Sequence, residues 1–446
     1  VEAKSLASLF QQHFPESGTP FLCRVPGRIN LLGEHLDYNG LPVLPMAIDR
    51  AITIAFAGRP TPEIHLINTD SRFPEVRFNN GPDLEPSPMG SWENYGKAAL
   101  EGLNKRFDVQ KFTGMDILVH SDLPISAGLS SSSALVVAVA LAYLALLDYT
   151  LGQDISRLEL AGLLANAEQF VGTVGGGMDQ TVILNAEAGS ATKINFIPFQ
   201  FEHIPLPDKA SFIVCDSMVE SSKTGNALAR YNAGPAVCSL ITNMLNTHFL
   251  RAFGEDFSID CIGDLWLGPL CFNRAEVEKL LAEVLPNPHT TIADIFIYLR
   301  MDPAIVREYW LDHISAEAEG LPLQARARHV FTEYYRVEEA RDALLGGDLA
   351  TFGRLMNESH ASCAVDYGIS TPDLDALAQI LRDAGCLGAR LTGAGFGGAV
   401  IGLVPAAKAA HVENAVKQKY YRDRLGFTGE PPLFFARSSD GARYLS

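Results

Sequence analysis

The sequence predicts an α+β protein of two domains. Three features carry that expectation. Its 446 residues exceed the roughly 100–200 of a single domain. Apolar residues make up 47%, enough for a large core and too many for wholesale disorder. Strand-like runs and helical spacings come in blocks along the chain.

The N-terminal VEAKSLASLFQQHF has the spacing of an amphipathic helix and lacks the pattern of a secretory signal. Residues 21–60 read as apolar strands broken by the polar loop GRINLLGEHLDYNG. Residues 60–90 carry six prolines, the mark of turns between short strands. Residues 92–108 have helical spacing, and MDILVHS at 114–120 reads as a strand. The longest apolar run, Ala134 to Leu147, is too short to span a bilayer and reads as a buried helix over 133–148. A further helix covers 157–170, and GTVGGGMDQTVILNA then reads as a glycine loop leading into more apolar chain. ATKINFI and ASFIVCDS restore the strand pattern, and the boundary falls near there, giving domains 1–205 and 206–446. Residues 225–385 are mostly helical, with breaks near 285–289 and 302. LGARLTGAGFGGAVIGLV reads strand, glycine turn, strand, and a helix over 405–420 and a strand over 433–437 close the chain.

A net charge of −17 makes the chain a poor candidate for coating nucleic acid or an anionic membrane. Seven cysteines without a CxxC pair read as reduced thiols of a cytoplasmic protein, and no zinc pattern appears.

Four motifs carry chemistry. In PGRINLLGEHLDYNG, Arg28, Glu34, His35 and Asp37 sit among apolar neighbours. Taken alone, the motif reads equally as a polar turn or as a site, but carboxylates beside a core need partners. Such a cluster suits a polyol, whose hydroxyls each want a donor and an acceptor. In LPISAGLSSSSA, four serines follow Gly128 and run into an apolar helix. One serine caps a helix; four point instead to phosphate held on the helix N-terminus. The GK[ST] end of a Walker loop is missing. In GGGMDQ, glycines place Asp179 at a fixed point, although alone this reads as a flexible loop. In RLTGAGFGGAVIGLV, a dinucleotide fingerprint would need a helix after the glycines, and the sequence there is β-like. A glycine-rich hairpin is the better reading. His120, His203, His289 and His329 have no ligand spacing and read as core or surface residues.

Together, and in this order, the motifs resemble the galactokinase branch of the GHMP small-molecule kinases. WENYGKAALEGL and MNESHASCAVDYGISTPDLD add to the likeness, which spans residues 20 to about 440. The resemblance implies a first domain like the second domain of ribosomal protein S5. It implies a second, ferredoxin-like domain enlarged by helices. It further implies phosphoryl transfer from MgATP to the C1 hydroxyl of a galactose-like sugar by a monomer. By position, Asp179 and Arg28 match the catalytic pair. Arg28, Glu34, His35, Asp37, Gly176, Asp179 and Tyr231 match sugar contacts. Gly128, Leu129, Ser130, Ser131, Ser132 and Ser133 match the triphosphate loop, and Trp92 and Tyr95 the adenine pocket. Ser132 and Glu168 match the Mg²⁺ ligands.

Phosphoryl transfer asks mainly for positioning and charge neutralisation. Arg28 would stabilise charge on the transferring group. Asp179 would either accept the hydroxyl proton or orient the hydroxyl. One departure stands out: after Tyr231 the chain reads YNAGPAVC, where the family usually carries an Arg. Tyr231 itself favours galactose. N-acetylgalactosamine, arabinose and galacturonate are alternative acceptors. A non-catalytic sugar sensor is the alternative class, and the intact SSSSA argues against it.

Overall fold

A computed structural model describes residues 3–125, 127–173, 175–219, 226–254, 257–314 and 320–445. The chain forms two compact units. The first holds residues 1–29, 45–192 and 435–446; the second holds 30–44 and 193–434. A single cut after residue 205 therefore does not describe the division. Pairings between residues far apart in sequence decide it: the terminal strand Arg443–Leu445 is hydrogen-bonded to Phe21–Leu32, and Gly33 is held by Glu333.

In the first unit, α1 (Ala3–His13) turns Leu6 and Phe10 inward. With Phe14 they pack on Ala55, Ala57 and Leu118. This is the apolar stripe that its helical spacing requires. The strands β1 (Phe21–Leu32), β2 (Leu44–Arg59), β3 (Glu63–Asn68), β4 (Val76–Asn79) and β5 (Gly114–Ser121) join the terminal strand in a six-stranded sheet. Its order is terminal strand, β1, β2, β5, β3, β4. The helices are α2 (Glu93–Phe107), α3 (Ser131–Leu146), α4 (Arg157–Ala167) and α5 (Met178–Asn185). α3 has no polar face and is buried from Ser133 to Leu144, as such a helix must be. α5 departs from the sequence expectation of a loop running into apolar chain. Gly177, at φ 97°, sits at its N-cap, so a glycine run conceals a helix start. Its eight residues, three of them β-branched, give only a weak helical signal.

In the second unit, β6 (Ser190–Phe196) and β7 (Phe199–Pro205) form a two-stranded ribbon. β8 (Ala210–Asp216), β9 (Gly388–Thr392), β10 (Ala399–Pro405) and β11 (Leu433–Ala436) form a four-stranded sheet in the order β11, β8, β10, β9. β10 runs antiparallel to both β8 and β9. The glycine turn therefore joins two strands, which removes the dinucleotide-fold reading. The helices Leu349–Val365 and Pro372–Asp383 pack on β9, and α6 (Asn226–Phe253) and Leu323–Leu345 belong to the same unit. The helix expected over 405–420 is instead a 3₁₀ turn (Ala406–Lys408), an α-helix (Ala409–Val416) and π-turns (Lys417–Arg424). All seven cysteines are free thiols. No described helix is long and apolar enough to cross a membrane.

Candidate active site

In the first unit, β1 carries Arg28 against the serine loop. Gly27 makes the approach possible: a Cβ there would lie 2.3 Å from a Leu123 methyl and 2.9 Å from Leu129 O. Arg28 N donates to Leu129 O at 3.1 Å. The side chain of Arg28 is buried; its Nη1 donates to Gly128 O at 2.5 Å and its Nε to Asp179 Oδ1 at 2.8 Å. Asp179 stands in the first turn of α5 with its side chain 13% exposed, so it is reachable from solvent while its partner is 5% exposed. Ser130 Oγ donates to the other carboxylate oxygen, and Ser133 Oγ lies 3.5 Å from it.

Ser130 occupies the N-cap position of α3 but makes no cap hydrogen bond. Its backbone is left-handed, at φ 59°, a conformation a non-glycine residue adopts at a cost. Its hydroxyl is spent on Asp179. Ser130 therefore leaves the first amides of α3 uncapped by its own side chain, at the positive end of that helix, where an anion is favoured. Gly128, Leu129, Ser131 and Ser132 complete this loop, with Ser131 and Ser132 half-buried. Gly176 is half-buried two residues before the α5 helix begins. Ser126 and Val174, in the same two loops, lie outside the described residues.

Trp92 precedes α2, is buried, and donates its indole N–H to Pro74 O at 3.0 Å. Its ring meets Phe73 edge-on at 5.7 Å. Tyr95 lies half-buried one turn on, its hydroxyl pushed up to about 12 by burial and then by the charge of Glu168. Glu168 is buried at the start of a 3₁₀ turn, Glu168–Val171. Among the described residues no three His, Cys, Asp or Glu side chains gather as a ready-made metal cage. The Ser132 hydroxyl and the Glu168 carboxylate are, however, hard oxygen donors. That donor type suits Mg²⁺, which keeps several waters and takes its other ligands from substrate phosphates.

The second unit holds the sugar-signature residues. Glu34 is buried: Gly393 N donates to its Oε1 at 2.8 Å, and Arg390 Nη1 lies 3.3 Å from the same atom. Arg390 is wholly buried and also donates to Asn30 O at 3.0 Å. The main chain of the loop is clamped by one helix, Leu323–Leu345. Glu333 Oε1 accepts from Gly33 N at 2.8 Å, and His329 Nε2 donates to Glu34 O at 3.0 Å. Burial raises the Glu333 carboxyl, but the charges around it, Arg336 first, outweigh this and hold it at about 2. Burial holds His329 at about 4.

His35, at φ 61°, directs its ring into an aromatic group. It stacks on Tyr367 at 4.7 Å, and the Tyr231 ring lies 6.2 Å away. Asp37 opens the 3₁₀ turn Asp37–Asn39. In the YNAGPAVC stretch after Tyr231, a Cβ on Gly234 would lie 2.8 Å from Tyr38 Oη and 3.2 Å from Tyr367 Oη, so this position is closed to a side chain.

The structure thus brings Arg28, Ser130, Ser133 and Asp179 together in the first unit, and Glu34, His35 and Tyr231 together in the second. Sequence reasoning gave no role to Tyr38, Glu333, Tyr367 or Arg390 and set His329 aside. Tyr38, Tyr367 and Arg390 lie inside the motifs named above, and the need of a carboxylate beside a core for a partner was the signal for Arg390. Glu333 and His329 had only their i, i+4 spacing on one helix.

Comparisons with known proteins place the chain in a family. The galactokinase galactose-binding signature matches residues 8–58, the GHMP kinases N terminal domain residues 94–187, and the GHMP kinases C terminal residues 340–422. The galactokinase of Roseiflexus sp. (strain RS-1) is 33% identical over 452 residues, covering 99% of this chain and 97% of its own. That of Dictyostelium discoideum is 32% identical over 435 residues, covering 90% and 84%. The crystal structure of Lactococcus lactis galactokinase complexed with galactose superposes with a TM-score of 0.79 at 26% identity, covering 99% of both chains. Methanococcus jannaschii mevalonate kinase, at 18% identity and a TM-score of 0.55 over 95% of this chain and 99% of its own, shares the fold. The chain belongs to the galactokinase family of the GHMP kinases.

Proposed function

We propose that the chain is an ATP-dependent sugar 1-kinase that converts galactose to galactose 1-phosphate. The observation that carries this reading is the Arg28–Asp179–Ser130 constellation beside the uncapped start of α3, in a chain of this family. Asp179 accepts the proton of the C1 hydroxyl or orients that hydroxyl for attack on the γ-phosphate. Arg28 holds Asp179 and meets the charge that develops on the transferring phosphoryl group. The amides from Gly128 to Ser133 grip the triphosphate, and Trp92 and Tyr95 border the adenine. Ser132 and Glu168 would hold Mg²⁺, whose charge would offset that of the β- and γ-phosphates. Glu34, His35, Asp37, Gly176 and Tyr231 read the sugar's hydroxyls. A site built on hydroxyl contacts rejects the wrong stereoisomer, because an unpaired buried polar group costs about 1–3 kcal/mol. The protein acts as a monomer in the reducing cytoplasm, where free thiols persist.

The test is ADP release from ATP with galactose, N-acetylgalactosamine, arabinose and galacturonate in turn. Galactose is expected to be turned over fastest. Faster turnover of N-acetylgalactosamine would overturn the choice of substrate. ADP release with none of the sugars would overturn the enzyme in favour of a binding protein.

A further inference from the structure

A hydrogen-bond chain of one direction ends on His35. His35 Nε2 lies 3.3 Å from Ala394 O. A carbonyl oxygen only accepts, so Nε2 carries the proton and Nδ1 is the acceptor. Nδ1 lies 2.8 Å from Tyr38 Oη, whose O–H therefore donates to it. With its proton used, Tyr38 Oη accepts from the Tyr367 O–H at 2.6 Å. Cys238 Sγ lies 3.5 Å from the Tyr367 oxygen and donates in turn. Every member is neutral, and the direction follows from the single carbonyl at its end.

Packing fixes the same groups. Tyr367 is stacked on His35, lies 4.6 Å from the His329 ring and has Arg326 5.4 Å over its own. Gly234 leaves the two tyrosine hydroxyls room that any side chain would take. Burial, helped by His329, pushes His35 down to about 3, so protonation does not break the chain near neutral pH.

We propose that Tyr38 and Tyr367 are positioning residues for sugar recognition. Together with the Ala394 carbonyl they hold His35 as the Nε2–H tautomer, and one sugar hydroxyl would replace the long 3.3 Å bond, accepting from Nε2–H and donating to the released carbonyl. Gly234 keeps the space they need. A hydroxyl offers both a lone pair and a proton, and the N–H and the carbonyl match both. The proposal rests on the reading of His35 as a sugar contact.

The test uses the full chain with ¹⁵N-labelled histidine. The His35 ring signals are identified by their loss in His35→Gln. The free wild-type chain is expected to show one neutral Nε2–H pattern for His35. In Tyr38→Phe that pattern should give way to mixed tautomers. The KM for galactose should rise roughly fivefold, with the KM for ATP and kcat changed less than about twofold. Tyr367→Phe is the second variant, which keeps Tyr38 in place and should shift both readouts the same way by less. Unchanged His35 signals in the folded variants would overturn the proposal. So would altered signals with an unaltered KM for galactose. Failure of the underlying functional reading is separate: it would appear in the wild type as no turnover of galactose, while the ring signals are recorded without sugar.

Discussion

The first unit ends its hydrogen bonds on a charged pair, Arg28 and Asp179, set at a helix start and partly open to solvent. The second leads them through neutral hydroxyls to His35, and keeps its charges, Glu34 with Arg390 and Glu333 with Arg336, deep in the interior. The difference fits the proposed function. Phosphoryl transfer moves charge, so its residues must be charged and within reach of the reactants. Distinguishing one sugar from another needs donors and acceptors at fixed points, and buried networks hold such points rigidly. In the second unit the buried ions fix the shape of the loop that carries Glu34 and His35.

Three measurements would break or sharpen this contrast. The largest effect is expected at the buried pair. Arg390→Met leaves the Glu34 carboxylate in the interior without its guanidinium and should cost about 3–5 kcal/mol in urea unfolding. A loss below about 1 kcal/mol would mean that the pair does not organise the loop. Next comes the Arg28–Asp179 pair. Asp179→Asn should lower kcat at least about 100-fold. Near-normal turnover would remove Asp179 from the chemistry.

The smallest effect is on pH. Below about 6.5 histidines protonate in the unfolded chain, while His35 and His329, held at about 3 and about 4, stay neutral in the fold. The unfolded state then binds more protons, and stability falls as the pH drops from 6.5 toward 4. Each group should contribute roughly 1.4 kcal/mol per pH unit well below 6.5. Glu333 acts over a lower window: its contribution is complete above about 4.5 and is lost as the pH falls toward about 2. Thermal melts from pH 7 to 5 should show the histidine slope, and His329→Gln should flatten it. A melting temperature constant across that range would contradict the neutral, buried state of both rings.

Much of this was legible locally. The apolar block after the serines required a buried helix, and α3 is one. AVIGLV after the glycines required a strand, and β10 is one. The serine run exceeded what capping needs, and Ser130 indeed turns its hydroxyl to Asp179 rather than to the helix. The start of α5 was hidden because glycines in left-handed geometry carry no helical signature.

What the sequence determined by itself was chemical identity and element type: which carboxylates, serines and glycines stand where, and which stretches are apolar with a period of two or near four. Those are properties of neighbours along the chain. Only the tertiary structure decided partners. Arg390 reaches Glu34, Glu333 reaches Gly33, and Tyr367 reaches Tyr38, across separations of 356, 300 and 329 residues. No local propensity encodes such a pairing; it arises when burial removes water and each buried donor or acceptor must find its partner in the folded chain.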